Sequence, residues 1–232
     1  MKWLLLIALA FPTKVLGLEI EIGVGQASYS LTDGIWWQSP YGFNGNVRPA
    51  SIEFGIRERK GDFGFHAAYV DLGHVTGNNL FSMRDEDFGR MDFTKSCDSG
   101  SQKNCLGKGQ ASQHVQGLLL GVSYGLNING VQLDAEAGQY LYVSDWSISV
   151  YCWNCGYAHS HAFGAPTTYS SRSELRRSSV ISVSAGYKNV YVTYRRFFSI
   201  DGSGKGSGGV DDQYAIGLTA GSVNQLLVGF RF

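Results

Sequence analysis

The chain ends "SVNQLLVGFRF", and from Gln225 to the terminal Phe232 the alternation is strict. Leu226, Val228, Phe230 and Phe232 fall on one side. Gln225, Leu227, Gly229 and Arg231 fall on the other. A period of two belongs to a β-strand whose faces meet different surroundings. One face here is greasy and ends in two aromatics; the other carries a cation and a glycine. An aromatic terminus is unlike the frayed polar tail of many soluble proteins.

Seven other segments repeat the pattern. "LEIEIGVGQASY" sets Leu18, Ile20, Ile22 and Val24 against Glu19, Glu21, Gly23 and Gly25. "ASIEFGIRER" sets Ile52, Phe54 and Ile56 against Glu53, Gly55, Arg57 and Arg59. "DFGFHAAYV", "VQGLLLGVSYGL", "VQLDAEAGQYLYV", "SVISVSAGYK" and "VYVTYRRF" follow, with His66, Asp134, Glu136 and Arg195 on their polar faces. The connections alternate between short turns (near 59–62, 126–130 and 187–190) and long polar stretches (about 30–49, 71–113, 144–178 and 199–222). That rhythm predicts an all-β, antiparallel, up-and-down meander of eight strands.

A soluble sandwich would turn the polar faces to water. A transmembrane barrel inverts the assignment, with apolar residues toward lipid and polar ones in the lumen. Glycine on the polar face (Gly23, Gly55, Gly64, Gly121, Gly186 and Gly229 among others) suits a crowded inner wall better than a solvated one. Tyr124, Tyr187, Phe230 and Phe232 near the short turns form one expected aromatic girdle. Tyr29, Tyr69, Tyr142 and Trp146 near the long connections form the other.

Other features agree. "MKWLLLIALAFPTKVLG" has a basic start and an apolar run far short of a spanning helix. It reads as a secretory signal over 1–17, leaving residues 18–232 as one barrel domain. Net charge is zero, so nothing points to nucleic acid. Four cysteines suit an exported chain. Cys97–Cys105 and Cys152–Cys155 are the expected disulfides, since each pair lies within one predicted connection.

With these features the chain resembles the small eight-stranded outer-membrane β-barrels of Gram-negative bacteria, the outer membrane protein A/X-like group. Within it, the chain is most like a subgroup of short barrels that open "GQASY…DGIWWQ" and carry a Cys pair in the second long loop. The resemblance implies short periplasmic turns, periplasmic termini and long extracellular loops. It also implies that Gln225, Gly229, Phe230 and Phe232 form the signal read by the barrel-assembly machinery. Here Leu227 stands where that family usually has its glycine.

The predicted inner face holds Glu19, Glu21, Glu53, Asp134 and Glu136 against Arg57, Arg59, Arg195 and Arg231, with His66 between. Buried charges must pair, so a cross-lumen ion-pair network is expected; a narrow polar channel is the alternative. The long connections are rich in aromatics, with Trp36, Trp37, Tyr41, Trp153 and Tyr157 as a candidate binding surface. Local chemical motifs are weaker. "CWNCGYAHSH" offers Cys152, Cys155, His159 and His161, but an oxidised Cys pair is lost to zinc. Ser160 between two histidines lies in a connection rather than on a strand. Asp211–Asp212 sits in a Gly/Ser-rich stretch.

The sequence therefore predicts a non-enzymatic outer-membrane barrel with a role in surface recognition, adhesion or envelope structure. No cofactor or metal is expected. The expected partners are outer-membrane lipid and lipopolysaccharide, the assembly machinery and an extracellular ligand. A small passive channel and a lipid A acyl hydrolase or transferase are the alternatives.

Overall fold

The computed structural model describes residues 18–33, 44–83, 105–153, 167–201 and 219–232. Ten strands run in chain order: β1 (Leu18–Asp33), β2 (Asn44–Asn46), β3 (Ala50–Lys60), β4 (Phe63–Met83), β5 (Cys105–Ile128), β6 (Val131–Trp153), β7 (Thr167–Arg172), β8 (Arg176–Tyr187), β9 (Val190–Asp201) and β10 (Thr219–Arg231). Eight of them form a closed antiparallel wall in the order β1-β3-β4-β5-β6-β8-β9-β10, and β10 returns to β1. The short β2 and β7 pair on the outside ends of β4 and β6. The fold is a single up-and-down β-barrel.

The seam uses the very end of the chain. Ile22 pairs with Phe230 and Val24 with Val228. The Phe232 amide donates to the Ile20 carbonyl at 3.0 Å, and the Ile20 amide donates to the Phe232 carbonyl at 3.2 Å. The terminal residue thus completes the ladder, leaving no open edge between first and last strands.

Each short connection is a two-residue hairpin turn. β5 and β6 are joined by Asn129 and Gly130, both at positive φ (52° and 83°), the requirement of a type I′ turn. Gly61 and Lys188 likewise take positive φ between their strands.

The wall is inverted relative to a soluble protein. Ile52, Phe54, Phe65, Leu120, Val122, Val183, Val192 and Val228 all point out and are exposed, Val122 at 54% and Phe65 at 67%. Glu21, Arg57, His66, Glu136 and Arg195 are buried within. On β5 the outward apolar series runs from Leu118 to Ile128. Ten steps of ~3.3 Å, at a tilt of ~40°, give a belt roughly 25 Å tall, the height of a bilayer's hydrocarbon band. Its upper edge is polar: Tyr69 donates to Gln116 at 2.6 Å, Tyr194 to Asn224 at 3.0 Å and Gln139 to Ser179 at 3.2 Å. At the lower edge Phe63 and Tyr124 meet edge to face, with Tyr187 and Phe230 exposed beside them. This is a transmembrane barrel.

Three sequence expectations require correction. The stretches 71–113 and 144–178 are not simply connections, because β4 runs on to Met83, β5 starts at Cys105 and β6 reaches Trp153. Above the belt both faces can be polar, so the alternation fades while the ladder continues. Second, Tyr29, Tyr142 and Trp146 are buried inside the barrel and form no outer girdle; Tyr69 alone of that set faces out. Tyr142 shares its parity with Asp134 and Glu136, and Tyr29 shares its parity with Glu21, so the period of two places them inward. Third, the connection expected over about 199–222 is shorter, because β9 runs to Asp201 and β10 begins at Thr219.

Val122→Arg tests the inversion. In a wall facing hydrocarbon it should cost about 2–4 kcal/mol in urea unfolding from lipid vesicles. A change within about 0.5 kcal/mol, as for a solvated surface position, would mean that the wall meets water.

Candidate functional site: the filled lumen and the outer rim

The lumen divides into two storeys. The one nearer the short turns is ionic, and all eight wall strands contribute to it. Arg57 on β3 is its hub. Its Nε donates to Glu21 Oε1 at 2.7 Å, Nη1 to Ser123 Oγ at 2.9 Å and Nη2 to Glu136 Oε2 at 2.9 Å. Arg231 donates its Nε to the same Glu21 oxygen at 2.7 Å and reaches Asp134 at 3.5 Å. Arg59 donates to Asp134 Oδ1 at 2.6 Å, and Ser184 on β8 donates to Oδ2 at 3.3 Å. Arg195 on β9 donates to Glu53 and to the Gln225 amide oxygen. His66 on β4 sits in the middle, with Nδ1 3.1 Å from Glu136 and Nε2 3.2 Å from Glu21. Glu19, placed on the inner face by the sequence, is half-buried at the short-turn end and makes no ion pair among the described residues.

Glycines make room for these groups. A Cβ on Gly121 would lie 2.8 Å from Glu136 Oε1, and one on Gly125 would lie 2.0 Å from Asp134 Oδ1. At Gly229 it would lie 2.4 Å from the Tyr191 ring, over which the Arg231 guanidinium is stacked at 4.7 Å. Gly229 and Gln225 therefore have packing roles inside the barrel, while Phe230 and Phe232 face out.

The second storey is apolar and aromatic, which the sequence reading did not foresee. Ala27, Tyr29, Val70, Leu72, Leu119, Tyr140, Tyr142, Phe197 and Val223 fill it. Tyr140 meets Phe197 edge to face at 4.9 Å and donates its hydroxyl to the Val70 carbonyl at 2.9 Å. Tyr29 donates to the Leu72 carbonyl at 3.3 Å. These rings present apolar bodies to the lumen and spend their hydroxyls on inward carbonyls.

One donor atom each from Glu21, Glu53 and His66 lies within 4.8 Å of the others, a spacing that would suit a metal ion. The same carboxylates already accept from Arg57, Arg231 and Arg195. Four carboxylates (Glu21, Glu53, Asp134, Glu136) face four guanidiniums (Arg57, Arg59, Arg195, Arg231), so no negative surplus attracts a cation.

The rim opposite the short turns holds a second cluster. A β-bulge at Asp71–His74 brings Asp71 Oδ1 within 2.8 Å of His114 Nε2, while the Gly73 amide donates to the same oxygen at 2.7 Å. His74 and His114 are cross-strand partners, stacked at 4.1 Å. Ser112, two positions before His114 on the same face, is 2.9 Å from Ser147. His74, Ser112, His114 and Ser147 line an open depression of about 600 Å³ with Asp145 and Arg172.

Several sequence candidates fall elsewhere. Trp36, Trp37, Tyr41, Cys97, Cys155, Tyr157, His159, Ser160, His161, Asp211 and Asp212 lie outside the described residues, as does the expected signal over 1–17. Cys105 begins β5, and Cys152 and Trp153 end β6, so these three belong to strands rather than to connections.

The closed ladder, lipid-facing wall and ionised, filled interior define a small eight-stranded barrel of the outer-membrane type. Among solved structures the chain is similar to Ail, the attachment invasion locus protein of Yersinia pestis, solved with the heparin analogue sucrose octasulfate. Identity is 13%, with 94% of this chain and 100% of that one covered, at a TM-score of 0.36. It is also similar to Neisserial surface protein A, at 11% identity, 93% and 96% coverage and a TM-score of 0.35. No protein-family model and no curated protein matches the chain.

Removing one partner from the buried ionic storey should be far costlier than removing a pair. Arg57→Met leaves Glu21 and Glu136 short of a counter-charge and should cost about 3–5 kcal/mol. Adding Glu136→Gln should recover part of that loss. A double-mutant cycle by urea unfolding in vesicles measures the coupling, and strict additivity would show that the groups do not act as a network.

Proposed function

We propose that this protein is a non-conducting, non-enzymatic outer-membrane barrel whose work is done at its outward rim, in surface recognition, adhesion or envelope structure. The observation that carries this is the filling of the lumen: an ion-paired storey at one end and a packed aromatic one at the other. An eight-stranded barrel has an interior just wide enough to be filled by its own side chains, and here both halves are so filled. Transport is thereby disfavoured, and the parts left to act are the rim and the long connections. The short hairpins and both termini then face the periplasm, and the extended β4–β5–β6 sheet and the long connections face the exterior. The aromatic-rich segments around Trp36–Trp37, Tyr41 and Trp153–Tyr157 have the composition of recognition surfaces. In planar bilayers the purified protein should give no steady conductance steps, and stable steps would overturn the closed-lumen assignment.

The alternative to the non-enzymatic reading, a lipid acyl hydrolase, is favoured by one observation, the Asp71–His114 pair on the same strand face as Ser112, two residues away. Asp71 orients the imidazole. As a base the imidazole would take the Ser112 hydroxyl proton while the serine oxygen attacks a lipid ester carbonyl. The ester C–O bond would then break with that proton passing to the leaving alcohol, and water would cleave the acyl-serine to release the fatty acid. Thin-layer analysis of lipid A and phospholipids from cells carrying wild type, Ser112→Ala or His114→Ala tests it. Fatty acid release by wild type and its loss in both variants would support an acyl hydrolase, while three identical lipid profiles would remove this function.

A further inference from the structure

Two Arg–Arg dipeptides occur in the wall, Arg176–Arg177 on β8 and Arg195–Arg196 on β9. A strand sends adjacent residues to opposite faces, so each dipeptide is split. The members on the inner side have acids: Arg176 pairs with Asp201, and Arg195 with Glu53. The outward members, Arg177 and Arg196, are exposed and have no acidic partner among the described residues. Elsewhere on the outer rim Arg172 faces Asp145 and His114 faces Asp71.

Their height is informative. Arg196 pairs in register with Ile181, the last outward apolar residue on β8 before Ser179. Its guanidinium is not left at that level: it lies 5.4 Å from the centroid of the Phe198 ring, two positions farther from the short turns. Phe198 is the cross-strand partner of Ser179, and Arg177 stands two positions beyond Ser179 on the same face. The long Arg196 stem thus climbs out of the belt, as charged side chains do at a hydrocarbon edge. It carries its charge toward Arg177. Beside Phe198 an open groove of about 930 Å³ is lined by Leu175, Arg177, Ser179, Phe198 and the paired Arg176 and Asp201. Below it the wall is continuous grease: Ile181, Val183 and Val192.

We propose that this β6–β8–β9 face is a binding site for a phosphorylated lipid of the outer leaflet; the assignment rests on the membrane orientation proposed above. The phosphate sits between Arg177 and Arg196, where a planar guanidinium can donate two hydrogen bonds to phosphate oxygens. Ser179 is the neutral donor beside them. The acyl chains lie on Ile181, Val183 and Val192. Charge decides the class of lipid, since among the described residues the acid lining the groove, Asp201, is already paired with Arg176, so Arg177 and Arg196 are the charges left for an anion. The apolar wall beneath decides for a lipid over a free anion.

The test uses the full-length barrel in phosphatidylcholine vesicles, with nitroxide-labelled phosphatidic acid or phosphatidylcholine as probe. A Lys60→Gln/Lys188→Gln background silences the cations of the opposite rim. Flotation with the vesicles and heat-modifiable gel mobility are checked first, and a barrel that does not insert overturns the membrane reading itself. In the inserted barrel, electron spin resonance should show selectivity for phosphatidic acid at low salt. Selectivity should fall roughly fivefold per arginine in Arg177→Gln/Arg196→Gln and be unchanged in Arg172→Gln. Equal selectivity with and without the two arginines overturns the proposal. So does its loss to inorganic phosphate but not to chloride at matched ionic strength, which would mark a free-anion site. A cross-linked dimer that vanishes in the double variant also overturns it, the occupant then being a second copy.

Discussion

Everything in this structure follows from the requirement that no backbone N–H or C=O be left unpaired where water is absent. In hydrocarbon an unmet peptide group costs several kcal/mol, and an open sheet edge presents a row of them. The remedy is the β1–β10 seam, where the last residue of the chain still exchanges hydrogen bonds with Ile20. Closure fixes an even number of antiparallel strands in a single chain, and the three two-residue turns keep one rim tight.

Closure also creates the second problem, a narrow interior lined by every other residue. Ionised groups there have lost water and need one another. The chain meets this with a balanced set in which a few guanidiniums each bridge several strands. Arg57 alone ties β3 to β1, β5 and β6. Space for such long side chains comes from glycine on the facing positions. Farther up, the same parity carries Tyr140, Phe197 and Leu119, which fill the lumen with rings and need only a few inward carbonyls for their hydroxyls. The barrel is thus stabilised by charge at one end and by packing at the other.

The rim is where this division ends. Once the wall leaves hydrocarbon, its outward face is free to carry polar groups, and β4, β5 and β6 continue as a sheet. Asp71 meets His114 there and Ser112 meets Ser147, while the outward arginines of β8 and β9 have no acidic partner among the described residues.

The sequence by itself determined the strand count of the wall, the turn positions and which side chains face in. Those depend on a local period of two and on the solvent each face meets, and alternation such as Ile52-Glu53-Phe54 records both. It also held the inward placement of Tyr29 and Tyr142, because parity runs unbroken from Glu21 and Glu136. Only the tertiary structure decided which charges meet. Arg195 and Glu53 are remote in the chain and touch because β9 and β3 face each other across the lumen, a matter of register and shear that no local pattern encodes. The extent of β4–β6 beyond the belt, and the approach of His114 to Asp71 across a bulge, were equally hidden. Where both faces of a strand are polar, the alternation that reveals it disappears, and cross-strand hydrogen bonding alone defines the element.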